Sequence, residues 1–263
     1  MIPWFKITTI HIGPIPIQVW GFWVALGIGV GVYLLLKRAA YYGCDKKTTE
    51  HVYNSIIWLI VGGIIGARVF YILFYNPLLL TENPLELFAI WKGGLSSFGG
   101  MVGGIISFVL WRHRTRKGGF LANLSVTRLF DMYAYATVFG WIIGRIGCVF
   151  IHDHPGMECD CFLAFDWPGG ARLDMAFLEI IGLLPLAIIF FLHKKIRHKD
   201  GWFLSIFLGY YGILRFVLGF FRATDLDYAE PRFLALTPGQ YFGIVMACVG
   251  LYVAKKRGFF TKK

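Results

Sequence analysis

Three arginines lie inside apolar stretches of this sequence, where a charge is costly. Arg68, Arg145 and Arg215 are each surrounded by aliphatic, aromatic and glycine residues. A charged side chain near the centre of a membrane helix costs at least ~2.5–3.5 kcal/mol, so such residues mark functional sites or buried ion pairs. Because a guanidinium binds phosphate oxygens in a bidentate fork, an anionic phospholipid is a candidate ligand.

The three arginines differ in how strongly their surroundings indicate ligand binding. Arg145 is flanked by Gly144 and Gly147, which would let a lipid headgroup approach closely, and we favour binding over an interfacial anchor. Arg215 is equally consistent with a ligand contact and with a structural bridge to Asp131 or Glu179. For Arg68, substrate contact and a purely structural role are also both open.

A histidine-rich turn follows Arg145. His152 and His154 flank Asp153, and an imidazole next to a carboxylate can act as a general base at neutral pH. Together with Cys148, Cys159 and Cys161 these residues could be imagined as a metal site, but the spacing matches no tetrahedral motif. The sequence therefore predicts neither a metal nor an organic cofactor, and no bridge between Cys159 and Cys161.

The composition predicts an all-α polytopic membrane protein. Hydrophobic residues make up 57% of the 263 residues, charged residues only 16%, and the mean hydropathy is +0.62. A soluble domain typically carries roughly 25% charged residues. The net charge of +11 does not indicate nucleic acid, because the positive residues occur in short clusters between apolar runs.

Seven segments approach the length of about 20 mostly apolar residues that a membrane helix needs. They lie near residues 17–36, 51–74, 96–111, 129–150, 173–192, 201–221 and 238–254. The third follows a glycine-rich stretch at 93–100 that is a candidate for partial re-entry. We predict one membrane-embedded domain over residues 1–263.

The distribution of positive residues predicts the orientation. Of the 26 Lys and Arg residues, eighteen lie in the segments 37–47, 112–128, 194–199 and 255–263, which would share one side of the membrane. Five lie on the opposite side and three within apolar segments. Because positive residues concentrate on the cytoplasmic side, the N-terminus is predicted outside and the C-terminus in the cytoplasm of a bacterial inner membrane.

Several sequence blocks resemble the prolipoprotein diacylglyceryl transferase family. They occur in the family's order and cover nearly the whole chain: GARVFYILFYN at 66–76, WKGGLSSFGG at 91–100, GRIG at 144–147, FFRATD at 220–225 and LTPGQ at 236–240. Each block alone is weak evidence, but the blocks together are specific.

The resemblance implies an activity and roles for several residues. Members of the family move a diacylglyceryl group from phosphatidylglycerol to the thiol of a lipobox cysteine on a secreted prolipoprotein. Arg145 and Arg215 match the family's two essential arginines, and Tyr211 and Glu179 match further site positions. The implied partners are phosphatidylglycerol, a prolipoprotein and membrane lipid. We assign catalysis to Arg145, Arg215, His152, Asp153 and His154, and substrate binding to Arg145, Gly144, Gly147, Tyr211, Glu179 and Arg68.

This sequence also departs from the family's pattern. Phe98 stands where the family usually has His, Cys148 replaces an Asn, Gly219 replaces a Glu, and Asp153 aligns with a Glu. Either the 152–154 turn has taken over as base, or the acceptor is not a lipobox cysteine. A paralogue with another acceptor, a non-catalytic lipid-binding protein and an anion transporter remain alternatives.

Overall fold

The computed structural model describes residues 1–89, 94, 96–117, 124–226, 229–230 and 232–259, and they fall into two compact units. One unit comprises Met1–Leu35 and Val126–Lys263, and the other comprises Leu36–Ser125, whereas the sequence predicts one domain.

The helices in chain order are α1 (Val19–Tyr41), α2 (Lys46–Tyr75), α3 (Leu79–Glu82), α4 (Ser97–Lys117), α5 (Val126–Ile151), α6 (Met175–Leu192), α7 (Trp202–Leu218) and α8 (Pro238–Lys256). The strands are β1 (Thr9–Ile12), β2 (Ile15–Gln18), β3 (Pro155–Glu158), β4 (Ala164–Phe165) and β5 (Arg172–Asp174).

Five helices within the described residues are long and apolar enough to cross a membrane. They are Val19–Tyr41, Lys46–Leu73, Val126–Ile151, Met175–Lys195 and Trp202–Phe221. Helices α4 and α8 occupy the third and seventh predicted spans but are not among the five. The chain is therefore a multi-pass membrane protein, and the count of seven spans stays a prediction.

Glycines set the packing of α2 against α4 in the smaller unit. A Cβ atom at Gly66 would lie 2.4 Å from the carbonyl oxygen of Gly99, and one at Gly103 would lie 2.2 Å from that of Gly62. Lipid supplies no hydrophobic drive for helix association, so close backbone contact across small residues is what holds such a pair together. Residues 97–100 of the predicted re-entrant stretch form the start of α4, whereas residues 93 and 95 of that stretch lie outside the described residues.

The larger unit uses the same kind of contact twice. In α1 and α5, a Cβ at Gly27 would lie 2.5 Å from the carbonyl oxygen of Gly140. In α7 and α8, a Cβ at Gly212 would lie 2.5 Å from the carbonyl oxygen of Gly243. These crossings bring the C-terminal ends of α5 and α7 to the end of the unit where α6 and α8 begin.

Two polar caps fix where α6 and α8 begin. The side chain of Asp174 accepts a hydrogen bond from the backbone N–H of Phe177, 2.9 Å away, at the start of α6. At the start of α8, Thr237 and Gln240 form a reciprocal capping box. Since each cap satisfies N–H groups that a helix leaves unpaired, the sequence specifies these starts locally.

A small antiparallel sheet covers this end of the larger unit. Its strand order is β3–β5–β4, and the N-terminal segment joins it through a bridge between Ile2 and Phe165. Strands β1 and β2 form a separate hairpin immediately before α1. Cys159 and Cys161 form a disulfide between β3 and β4, so the expectation that they would not bridge was wrong. The turn between these strands brings their sulfur atoms together.

The glycine crossing of α1 and α5 makes a prediction with a control in the same helix. We expect Gly27→Ala to lower the melting temperature of the purified protein in detergent, because overpacking typically costs ~1–3 kcal/mol. Gly29→Ala adds the same methyl group where nothing lies within 4 Å. It should leave the melting temperature unchanged or raise it, so equal melting curves for the two variants would contradict this packing.

Candidate functional site

The carboxylate of Glu179 lies at the centre of a polar cluster built from α5, α6 and α7. Its Oε2 atom is 2.9 Å from Nη2 of Arg145 and 3.7 Å from Nη1 of Arg215. Its Oε1 atom accepts hydrogen bonds of 2.7 Å from the Trp141 indole N–H and from the Tyr211 hydroxyl. With 1% of its surface exposed, Glu179 is the buried anchor that holds both arginines in place.

The cluster keeps a positive charge and an unused donor. Two guanidinium groups face one carboxylate, which leaves a net charge of about +1 if all three are ionised. The Nε atom of Arg145 is buried and has no hydrogen-bond partner among the described residues. A buried donor without a partner costs ~1–3 kcal/mol, so an anion that accepts this hydrogen bond would be favoured here.

The start of α8 adds to the preference for an anion. The guanidinium of Arg215 lies against Gly239, where a Cβ atom would come within 3.2 Å of its Nε and Nη2 atoms. Gly239 belongs to the first turn of α8, and the N-terminus of a helix carries a partial positive charge. A larger residue at this position would require the guanidinium to shift.

The structure places His152 in a buried ion pair, and its assignment to catalysis stays a prediction. Its Nδ1 atom is 2.7 Å from Oδ2 of Asp174, and neither side chain is exposed. The ring stacks on Trp4, with centroids 4.3 Å apart, and meets the edges of further aromatic rings. The imidazole is thus held by an ion pair and packed between aromatic rings.

His152 also has a left-handed backbone conformation, with φ of +48°. Such a conformation is uncommon for a residue other than glycine, and strain of this kind costs on the order of 1–3 kcal/mol. The hydrogen bond to Asp174 and the aromatic contacts hold the strained turn. His152 therefore positions the two residues that follow it.

His154 follows in the same turn, and the positive charges of the arginine cluster act on it. Its Nε2 atom is 3.6 Å from Oδ1 of Asp153. Burial, followed by the positive charges of Arg145, Arg222 and Arg215, lowers the pKa of His154 to about 3. Burial also raises the pKa of Asp153, against the opposing effect of Arg145. The structure thus separates two histidines that the sequence could not distinguish.

Cys148 completes a group of three potential metal ligands. One donor atom each from Cys148, Asp153 and His154 lies within 4.8 Å of the other two. The sequence spacing did not predict this convergence. However, the Cys148 sulfur accepts a hydrogen bond of 3.7 Å from Arg145, and three guanidinium charges act on His154. These charges oppose a cation and favour an anion, so we assign no metal to the group.

Four of the predicted substrate-binding residues have structural tasks. Glu179 and Tyr211 are occupied with each other and with the arginines, as described above. Gly147 allows α1 to approach α5, since a Cβ there would lie 2.9 Å from Cβ of Trp23. Arg68 is buried and donates to the carbonyl oxygens of Glu86, Leu87 and Gly94, which favours its structural interpretation.

Gly144 differs from these residues because its surroundings are open. Nothing lies within 4 Å of a Cβ atom built at this position, one residue before Arg145. A ligand approaching the Arg145 guanidinium would meet no side chain at this point. The role of Gly144 in admitting a substrate stays a prediction.

The sequence left two possible pairing partners for Arg215, Asp131 and Glu179, and the structure distinguishes them. Asp131 accepts hydrogen bonds from the backbone N–H groups of Gly201 and Leu204 at the start of α7. Arg215 lies in the last turn of the same helix. A pairing of Arg215 with Asp131 was therefore wrong, and the pairing with Glu179 was right.

Sequence reasoning missed two residues of the site. Trp141 donates its indole N–H to Glu179, and its position one turn before Arg145 was the available signal. Arg222 pairs with Glu230 at 2.5 Å, and its neighbour Ala223 donates its backbone N–H to Pro155. Burial and the charge of Arg215 lower the pKa of Arg222 to about 10, so it stays protonated at neutral pH and adds to the positive field.

Comparison with known proteins gives a consistent result. The model of the prolipoprotein diacylglyceryl transferase family matches residues 7–255. Three relatives bear the name phosphatidylglycerol–prolipoprotein diacylglyceryl transferase. They come from Anaplasma marginale strain Florida (31% identity, 92% of this chain and 85% of the relative), Neisseria meningitidis serogroup A (30%, 95% and 94%) and Francisella tularensis subsp. holarctica (31%, 95% and 92%).

The multi-pass fold and the arginine pair around Glu179 define a membrane protein with a charged cluster between its helices. This chain belongs to the prolipoprotein diacylglyceryl transferase family.

The central position of Glu179 makes a prediction about stability. Glu179→Gln keeps an acceptor for Trp141 and Tyr211 but leaves Arg145 and Arg215 without a counter-charge. Breaking a buried ion pair on one side costs ~3–5 kcal/mol, so we expect a clearly lower melting temperature in detergent. Asp200→Asn is the control, because it removes the partner of the more exposed Arg128, where a loss of ~0–1 kcal/mol is expected. Similar effects of the two substitutions would contradict the role of Glu179.

Proposed function

We propose that this protein transfers a diacylglyceryl group from phosphatidylglycerol to the cysteine thiol of a secreted prolipoprotein. Family membership and the names of its relatives support this activity. The observation that carries the proposal is the pair formed by Arg145 and Arg215, held by one buried carboxylate and left with a net positive charge.

The arginine pair suits the leaving group of this reaction. When the bond between the glyceryl carbon and the phosphate oxygen breaks, a phosphodiester with one negative charge becomes a glycerol phosphate with two. Donors fixed in advance where negative charge develops stabilise the transition state more than the ground state. Arg145 and Arg215 would hold this phosphate, and the reaction calls for no metal or organic cofactor.

The proposed location is the bacterial inner membrane, with seven spans and the site near the outer face. The excess of Lys and Arg in alternate loops supports an outside N-terminus and a cytoplasmic C-terminus. The cluster around Glu179 lies near the ends of α5 and α7 that this orientation turns outward. A secreted acceptor would approach from that side.

A second candidate is a paralogue with the same lipid donor and a different acceptor. Phe98, Cys148 and Gly219 replace usual family residues, and this favours the alternative. A non-catalytic lipid-binding protein would keep only the arginine pair. Purified protein with labelled phosphatidylglycerol separates enzyme from binder by turnover, and addition of a lipobox peptide identifies the acceptor.

We predict that Arg145→Lys fails nearly as badly as Arg145→Ala, with transferase rates lower by ~10²-fold or more. Lysine keeps the charge but cannot form the bidentate fork or reproduce the Nε donor. The measurement is transfer from labelled phosphatidylglycerol to a lipobox peptide. Arg128→Lys, in the first turn of the same helix, is the control and should keep wild-type activity. A fully active Arg145→Lys would reduce Arg145 to an interfacial anchor.

The orientation can be tested with reporter fusions. A reporter that is active only in the cytoplasm should be active after Lys256 and silent within the 157–170 segment, because the positive-inside rule places these positions on opposite sides. Insertion after Lys117, in a segment rich in Lys and Arg, serves as an internal control and should be active. The reverse pattern would place the site on the wrong side for a secreted acceptor.

A further inference from the structure

We infer that His154 accepts the proton of the acceptor thiol, and that it does so once the lipid phosphate occupies Arg145 and Arg215. This inference rests on the proposed function and adds to it a catalytic residue and an order of events. The family's usual His is replaced by Phe98, and phenylalanine cannot accept a proton. A replacement must lie beside the arginines and present a free nitrogen.

The described part of the larger unit holds other histidines, but they do not meet these two conditions. His152 is enclosed by aromatic rings, and its Nδ1 atom is bonded to Asp174. His11 lies on the exposed hairpin, and the hydrogen-bonded pair of His193 and His198 follows the C-terminal end of α6, at the end of the helix remote from Glu179. His154, in contrast, lies within the electrostatic field of Arg145, Arg222, Arg215 and Glu179.

The backbone around His154 fixes its place next to the cluster. Gly156 pairs with Arg222 in an antiparallel bridge, and Ala223 donates its N–H to the carbonyl oxygen of Pro155. This short pairing ties the turn that carries His154 to the segment following α7, four residues after Leu218. The strained conformation of His152 directs the chain into this pairing.

An open cavity of about 530 Å³ lies beside the turn that carries His154. Its lining includes Lys6, Gln18, Trp20, His152 and Asp153. Asp153 is 37% exposed at its side chain and lies 3.6 Å from His154, so it connects the cavity to the imidazole. Donor atoms of Cys148, Asp153 and His154 lie within 4.8 Å of one another, and Arg145 is 3.7 Å from the Cys148 sulfur, so the imidazole lies between the cavity wall and the arginine cluster.

The step balances in atoms and charge. The thiol gives its proton to a ring nitrogen of His154, and the sulfur lone pair forms a bond to the glyceryl carbon that carries the phosphate. The bond from that carbon to the phosphate oxygen breaks, and its electron pair leaves with glycerol phosphate. The products are a thioether and a phosphate monoester. Arg145 and Arg215 hold the phosphate monoester until it takes up the proton or departs.

The order of events follows from the charges around the imidazole. In the structure, burial and then the charges of the arginines keep His154 neutral, so its lone pair is available, but they also make it a weak base. A bound phosphate brings negative charge to the same guanidinium groups and offsets their effect on the ring. Donor lipid therefore strengthens the base, and it does so only when there is a substrate to attack.

The test compares two acceptors that differ in their need for a base. Wild-type protein, His154→Ala and His154→Gln are assayed in phosphatidylglycerol vesicles with a lipobox peptide carrying cysteine or selenocysteine. A selenol is already ionised at neutral pH, whereas most of a thiol is not. We expect both variants to lose ~10²–10⁴-fold with the thiol and to remain near wild type with the selenol.

Controls separate this inference from the proposed function. His11→Ala, on the exposed hairpin, should behave as wild type with both peptides, and melting temperatures and vesicle binding should match for all variants. Full activity of the His154 variants with the thiol would overturn the inference, and so would an equal loss with both peptides. No thioether from wild-type protein with either peptide would overturn the proposed function itself.

Discussion

One buried carboxylate, that of Glu179, holds two guanidinium groups between three helices, and the remaining site geometry depends on it. Without Glu179, Arg145 and Arg215 would repel each other in a setting where water cannot screen them. A single carboxylate does not neutralise both, and this imbalance leaves the site ready for an anion. Trp141 and Tyr211 fix the carboxylate by occupying its second oxygen atom.

A second constraint lies just beyond the end of α5, where one carboxylate has two tasks. Asp174 caps α6 and also binds His152, so the start of one helix is tied to the turn that follows another. This link supports a strained backbone and directs Asp153 and His154 towards the arginines. His152, which holds the turn, and His154, which lies near the arginine cluster, are thus only two residues apart.

Close helix packing makes this arrangement possible within lipid. Where glycines face each other, as at Gly27 and Gly140 or Gly212 and Gly243, backbones approach too closely for any side chain. Such contact replaces the hydrophobic drive that lipid cannot provide. It also fixes α5 against α1 and α7 against α8, and α5 and α7 are the two helices that carry Arg145 and Arg215.

The sequence by itself determined the positions of the long helices and the importance of Arg145. An apolar run of about 20 residues is stable in lipid as a helix, because its backbone groups are then hydrogen-bonded. A charge inside such a run is costly, so it indicates an ion pair or a functional site. Motif order likewise indicated the family before any contact was known. The different surroundings of His152 and His154 are set only by tertiary structure, because the two residues share their type and local sequence. What distinguishes them is Asp174, twenty-two residues away, and Trp4, from the other end of the unit's chain. Partners so distant in sequence leave no local pattern.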